Sequence, residues 1–91
     1  MARVLMSCAS YDEIISCPAF RIGYDHVWRG CDLRGNRSWS DDEWAAYERG
    51  RRFGSYVRAE EGRRISLMCG GLPSSQAKML LMMAFRSGDV S

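Results

Sequence analysis

Two stretches of this chain place apolar residues at helical spacing. In the longer one, Ala46, Tyr47, Gly50, Phe53, Gly54 and Val57 recur at spacings of three and four, which puts them on one face of a helix. Just ahead stands Ser40-Asp41-Asp42-Glu43, a capping box whose first and last side chains satisfy backbone N–H groups left free at a helix start. Asp41 and Asp42 add negative charge at the positive end of the helix dipole. Glu48 precedes Arg52 by four positions, the favourable order for a surface pair. With Gly62 as a stop, the pattern predicts a helix from about 41 to 60.

In the earlier stretch, Phe20, Gly23, Tyr24, Val27, Trp28 and Cys31 keep the same rhythm, while Arg21, Asp25 and Arg29 form a ladder of alternating sign on the other side. Pro18 suits a first helical turn, and Gly30 or Gly35 ends the helix. Upstream, Ser10-Tyr11-Asp12-Glu13 is a second capping box, opening a short helix through Ile14 and Ile15. That helix breaks at Cys17-Pro18, because a residue before proline resists helical angles.

A further helix begins after Pro73 with Ser74 or Ser75 as N-cap, runs from Gln76 to Arg86 and stops at Gly88. From Met79 to Phe85 it is apolar almost all round, so it is either central in the fold or covered by another chain. Both readings stay open. The second makes Met79, Met82, Met83 and Phe85 a partner surface or a homodimer contact. Weak alternation over Arg64 to Cys69, and the short apolar segment from Met1 to Cys8, leave room for a minor two-stranded β pairing of residues 2–8 and 63–69. Gly70-Gly71-Leu72-Pro73 reads as a turn. The expected fold is mainly α: a helical hairpin plus a third, Met-rich C-terminal helix, in a single small domain over residues 1–91.

An internal echo supports the hairpin. Ala19-Phe20-Arg21-Ile22-Gly23-Tyr24 and Ala46-Tyr47-Glu48-Arg49-Gly50-Arg51 each read Ala, aromatic, two residues, Gly. Four-residue spacing sets Ala and Gly on one face, where two small residues let a second helix approach closely. Each helix would offer its notch to the other.

The segment from Ala19 to Tyr24, followed by Gly30, a polar connector and Trp44 in a second helix, resembles the ribosome modulation factor family over residues 19–57. Gly23, Tyr24, Gly30 and Trp44 are the main matches. Members are short bacterial proteins of two helices joined by a connector. They bind the ribosome near the 3′ end of the small-subunit RNA and promote inactive ribosome dimers. The resemblance implies a helical pair that docks on a ribonucleoprotein. The chain also departs from the family. Its Cys-Pro is Cys17-Pro18, ahead of the first helix and not in the connector, and Gly50 is followed by Arg51 where the family has Gly-Trp. The ribosome-binding member is strongly basic, whereas this chain has a net charge of +2.

Composition sharpens the partner question. At 46% apolar and 26% charged the chain is no disordered tail. Its longest apolar run, Met79 to Phe85, falls far short of the roughly 20 residues that span a bilayer. Asp12 and Glu13 interrupt any signal-peptide core after Val4-Leu5-Met6, so a cytoplasmic location and no membrane partner are expected. Lys78 is the one lysine; the other twelve basic residues are Arg, a bias that GC-rich codon usage alone would produce. Arg49, Arg51, Arg52, Arg58, Arg63 and Arg64 crowd the long helix and its exit, while Arg34 and Arg37 lie near Trp39 in the connector. Guanidinium groups beside aromatic rings suit RNA phosphates and unstacked bases. Glu48, Glu60 and Glu61 are interleaved with them.

Catalysis and metal binding are not expected. Cys8, Cys17, Cys31, Cys69 and His26 would supply zinc ligands, but their intervals are long and irregular and contain no Cys-x-x-Cys. In a reducing cytosol the thiols should be free. No motif surrounds Cys31 or His26 as a nucleophile and base, and Gly70-Gly71 lacks the Lys and Ser/Thr of a phosphate loop. A non-catalytic regulatory protein docking on RNA or a ribonucleoprotein, with no cofactor, is therefore the expected function. The alternative is a phage- or plasmid-encoded inhibitor binding a single host protein, by analogy with anti-CRISPR proteins, through the methionines, Phe85 and Trp39.

Overall fold

The structure is a computed structural model that describes residues 10–91. Helix α1 spans Tyr11–Ser16, α2 Pro18–Trp28, α3 Asp41–Glu61 and α4 Ser75–Ser87. A minor antiparallel pair joins β1, Met68–Cys69, to β2, Leu72–Pro73. The fold is mainly α, and no helix among the described residues is long and apolar enough to cross a membrane.

The helix starts follow from the serines. Ser10 and Ser40 both close complete capping boxes, with Glu13 and Glu43 each accepting from the cap backbone at 2.9 Å. Ser74 caps α4 by accepting from the Ala77 N–H at 3.1 Å. At the far ends, Gly62 and Gly88 take left-handed angles, φ 71° and 85°, which release the chain from α3 and α4. Gly70 and Gly71 are also left-handed, φ 62° and 84°, the two-residue turn that closes a tight hairpin. The predicted 63–69 segment thus contributes one strand, paired locally with Leu72–Pro73. Its other expected partner, residues 2–8, lies outside the described residues.

The echo is a packing motif. A Cβ on Gly23 would fall on the carbonyl oxygen of Tyr47, and a Cβ on Gly50 would fall on the carbonyl oxygen of Phe20. Each helix therefore rests its backbone in the other's notch. Ring pairs flank the crossing in the same reciprocal way: Phe20 with Phe53 at 5.7 Å and His26 with Tyr47 at 5.5 Å. A shift of 27 positions maps Phe20 onto Tyr47, Gly23 onto Gly50 and His26 onto Phe53. The pair therefore has an approximate twofold relation.

The two helices run in the same sense, so the expected hairpin is instead a parallel pair joined by a returning connector. At one end Cys17 shares a depression with Asp42, Glu43 and Ala46. At the other, Arg58 lies over the Trp28 ring at 5.8 Å. The connector, residues 29–40, must travel back along α3 before that helix can start. Around this pair, α4 buries Ala77, Leu80, Leu81 and Ala84, and α1 buries Ile14 and Ile15. Fully burying a side chain such as Phe20, Phe53 or Leu81 contributes on the order of 1.5–3 kcal/mol.

Candidate arginine face and connector

Tyr47 fastens the returning connector. Its ring is fully buried. Its hydroxyl oxygen accepts from the Arg34 backbone N–H at 2.8 Å and from Arg51 Nη1 at 3.5 Å. Both neighbours are obligate donors, so the hydroxyl proton goes to His26 Nδ1 at 2.8 Å. Arg51 also donates to the Cys31 carbonyl at 3.1 Å and lies 5.9 Å over the Tyr47 ring. Further down, Gly35 sits directly on the Trp44 ring, where any side chain would collide. Trp39 packs edge-on against Trp44 at 5.5 Å and tilts against Tyr47 at 5.2 Å. His26, Arg34, Arg51 and Trp39 thus hold the connector to the helix pair.

The remaining arginines divide between two sides of the molecule. Arg49 is half-buried beside α1, and its Nε donates to the Ser91 carbonyl at 3.1 Å. Burial pushes its guanidinium below the ordinary value. Arg52 is exposed and shares a depression with Glu60 and Asp89. On the opposite side, Asp25 joins two guanidinium groups, Arg29 at 2.8 Å and Arg64 at 2.7 Å. Arg64 lies 5.9 Å over Tyr24, Arg58 covers Trp28, and Arg21 shares a depression with Arg64. Arg21, Arg29, Arg58 and Arg64 therefore form one face along α2, with Asp25 as its acidic hub. Arg63 and Arg37 are exposed.

Two of these face residues, Arg58 and Arg64, belong to the set expected from sequence. Arg21 and Arg29 do not; the alternating ladder on α2 was their signal. Beneath them, the Tyr24 hydroxyl donates to the Ile65 carbonyl at 2.9 Å and accepts from the Ile65 N–H at 3.0 Å. Burial pushes that hydroxyl above its ordinary value, against the pull of the Ile65 hydrogen bond and of Arg64. The Trp28 indole N–H is buried with no hydrogen-bond partner among the described residues.

The C-terminal helix is less uniform than its composition. Met79 is 54% exposed and Met83 43%, while Met82 is half-buried. Phe85 packs on Tyr11 at 5.8 Å. Of the residues expected to meet a partner, Met79 and Met83 lie open, whereas Met82, Phe85 and Trp39 are partly covered by the chain itself. Cys17, Cys31 and Cys69 are free thiols. Among the described residues no three His, Cys, Asp or Glu side chains converge on a point that would hold a metal ion; Cys8 lies outside them.

No family model, curated protein or solved structure matches this chain.

Proposed function

We propose that the protein is a non-catalytic regulatory binder that docks on RNA or a ribonucleoprotein through the α2 arginine face. The observation that carries this reading is the face formed by Arg21, Arg29, Arg58 and Arg64, in which Arg29 and Arg64 pair with Asp25 and the guanidinium groups of Arg58 and Arg64 lie over aromatic rings. Guanidinium groups supply both the phosphate neutralisation and the planar surface that RNA binding needs. The resemblance to the ribosome modulation factor family, carried by Gly23, Tyr24, Gly30 and Trp44, points to the same class of partner. Recovery of the tagged protein from host lysate, with and without RNase and across a salt series, tests it. Co-purified RNA should be lost at high salt and in an Arg29→Glu, Arg58→Glu variant. RNA held equally by that variant, or at high salt, overturns the reading.

A second reading has its own support in exposed Met79 and Met83. On this reading the chain is a phage or plasmid inhibitor that grips a single host protein, or a second copy of itself, through α4. Capture would then survive RNase and salt, and would fail in a Met79→Asp, Met83→Asp variant that keeps its helical circular dichroism.

A further inference from the structure

We propose that the depression between Arg21 and Arg64 is a subsite for a phosphate group, which the RNA reading above supplies as a backbone phosphodiester. The inference rests on that reading and narrows it to one place on the arginine face.

The depression has a volume of about 280 Å³. Its floor is Tyr24, Ile65 and Leu67, all buried, and Ser66 stands on its wall. Among the described residues two guanidinium groups line it, and no carboxylate does. Three other depressions differ on this point. The one below Arg49 carries Glu13, Asp42 and Glu43; the one at Arg52 carries Glu60 and Asp89; the one on the far edge of α2 sets Asp25 beside Arg21. In those places a carboxylate stands in the depression with the cation. Asp25 pairs with Arg64 from outside the depression between Arg21 and Arg64, which leaves the space between the two guanidinium groups open.

Both guanidinium groups are held in place before any ligand arrives. Arg21 Nη2 donates to the Ser16 carbonyl at 3.3 Å. Arg64 is fixed by Asp25 through Nη2 and rests over the Tyr24 ring. Fixing them in advance removes part of the ordering cost of binding. A guanidinium carries several N–H donors, and each of these commits one nitrogen, so fork edges remain for a tetrahedral anion. The turn at Gly62 brings the second cation here, since it sends the chain from the end of α3 back across α2.

The test uses the full chain, a short single-stranded RNA followed by fluorescence anisotropy across a salt series, and inorganic phosphate followed through the arginine Nε–H signals by NMR. Arg21→Gln and Arg64→Gln should each weaken the RNA about tenfold. Each should also flatten the salt slope by about 0.7, the share of one phosphate that the variant no longer neutralises. Arg86→Gln on α4 removes the same unit of charge elsewhere and should change affinity by less than about twofold. Because Arg64→Gln also breaks the pair with Asp25, Arg21→Gln, which leaves that pair intact, separates binding from folding. RNA bound equally tightly by the parent chain and by both variants overturns the subsite while RNA binding stands. Saturable phosphate shifts at Arg21 and Arg64 without RNA affinity keep the subsite, give it a small phosphorylated ligand, and overturn the RNA reading. Absence of both effects overturns both.

Discussion

At the crossing of α2 and α3, the closest contacts are made by residues with almost no side chain. On α4, long methionine side chains face outward. Gly23 and Gly50 each receive a backbone carbonyl of the opposite helix. Met79 and Met83, from the most apolar run of the chain, stay about half exposed. The difference separates two properties that composition merges. Apolar bulk lowers the cost of being covered, but it does not specify a neighbour. A reciprocal notch does, because only one register lets two backbones approach without collision.

The comparison can be broken from the crossing outward. Gly50→Ala should have the largest effect. Its new methyl group meets the Phe20 backbone, which has no rotamer to change, so the helices must separate at a cost of about 3 kcal/mol. Gly23→Ala should do the same from the other side. The double variant should cost less than the sum, since one separation relieves both collisions. Urea midpoints check this, and a fully additive pair would mean that the notches act independently.

Tyr24→Phe comes next. It leaves both backbone groups of Ile65 without their partner, a loss of about 2 kcal/mol. It also has a pH signature. Burial raises the Tyr24 hydroxyl above its ordinary value of 10.0, so the fold favours the protonated form. That contribution to stability is complete below pH 10.0 and is lost as the pH climbs through the raised value. Thermal melts across alkaline pH should show the loss in the parent chain and a flatter profile in Tyr24→Phe.

On α4, Met79→Asp and Met83→Asp should each change stability by no more than about 0.5 kcal/mol. A loss above about 2 kcal/mol would mean that the outer face is core after all. The smallest effect belongs to Gly54→Ala. Alanine gains about 1 kcal/mol of helix propensity. Against that, its Cβ would stand 3.1 Å from the Val27 Cβ. A change within about 0.5 kcal/mol of zero is expected, and a large loss would extend the tight crossing one turn further.

Helix starts and stops were legible because each is decided within a few residues. Ser10, Ser40 and Ser74 satisfy N–H groups three positions away, and Gly62 and Gly88 end helices where left-handed angles are needed. The two notches were legible too, since four-residue spacing fixes a helix face. The sense in which the helices run was not, because spacing names a face and leaves the path of the connector open. Arg51 read as a surface cation, although it sits four residues after Tyr47, on the same face, and anchors Cys31. Arg21 and Arg29 were visible as a ladder with Asp25. Joining Arg64 to them took the turn at Gly62, which no local pattern connects to α2.

The near-twofold relation between α2 and α3 has a consequence for concentration. A notch cannot distinguish a helix supplied by its own chain from the same helix supplied by a second copy. Exchanging one for the other preserves the carbonyl contacts of Gly23 and Gly50. What favours the home helix is its tether: residues 29–40 keep it at an effective concentration in the millimolar range. Tyr47, Arg51 and Trp44 hold that tether along α3, so the side chains that fasten the connector also keep the chain from swapping helices with its neighbours.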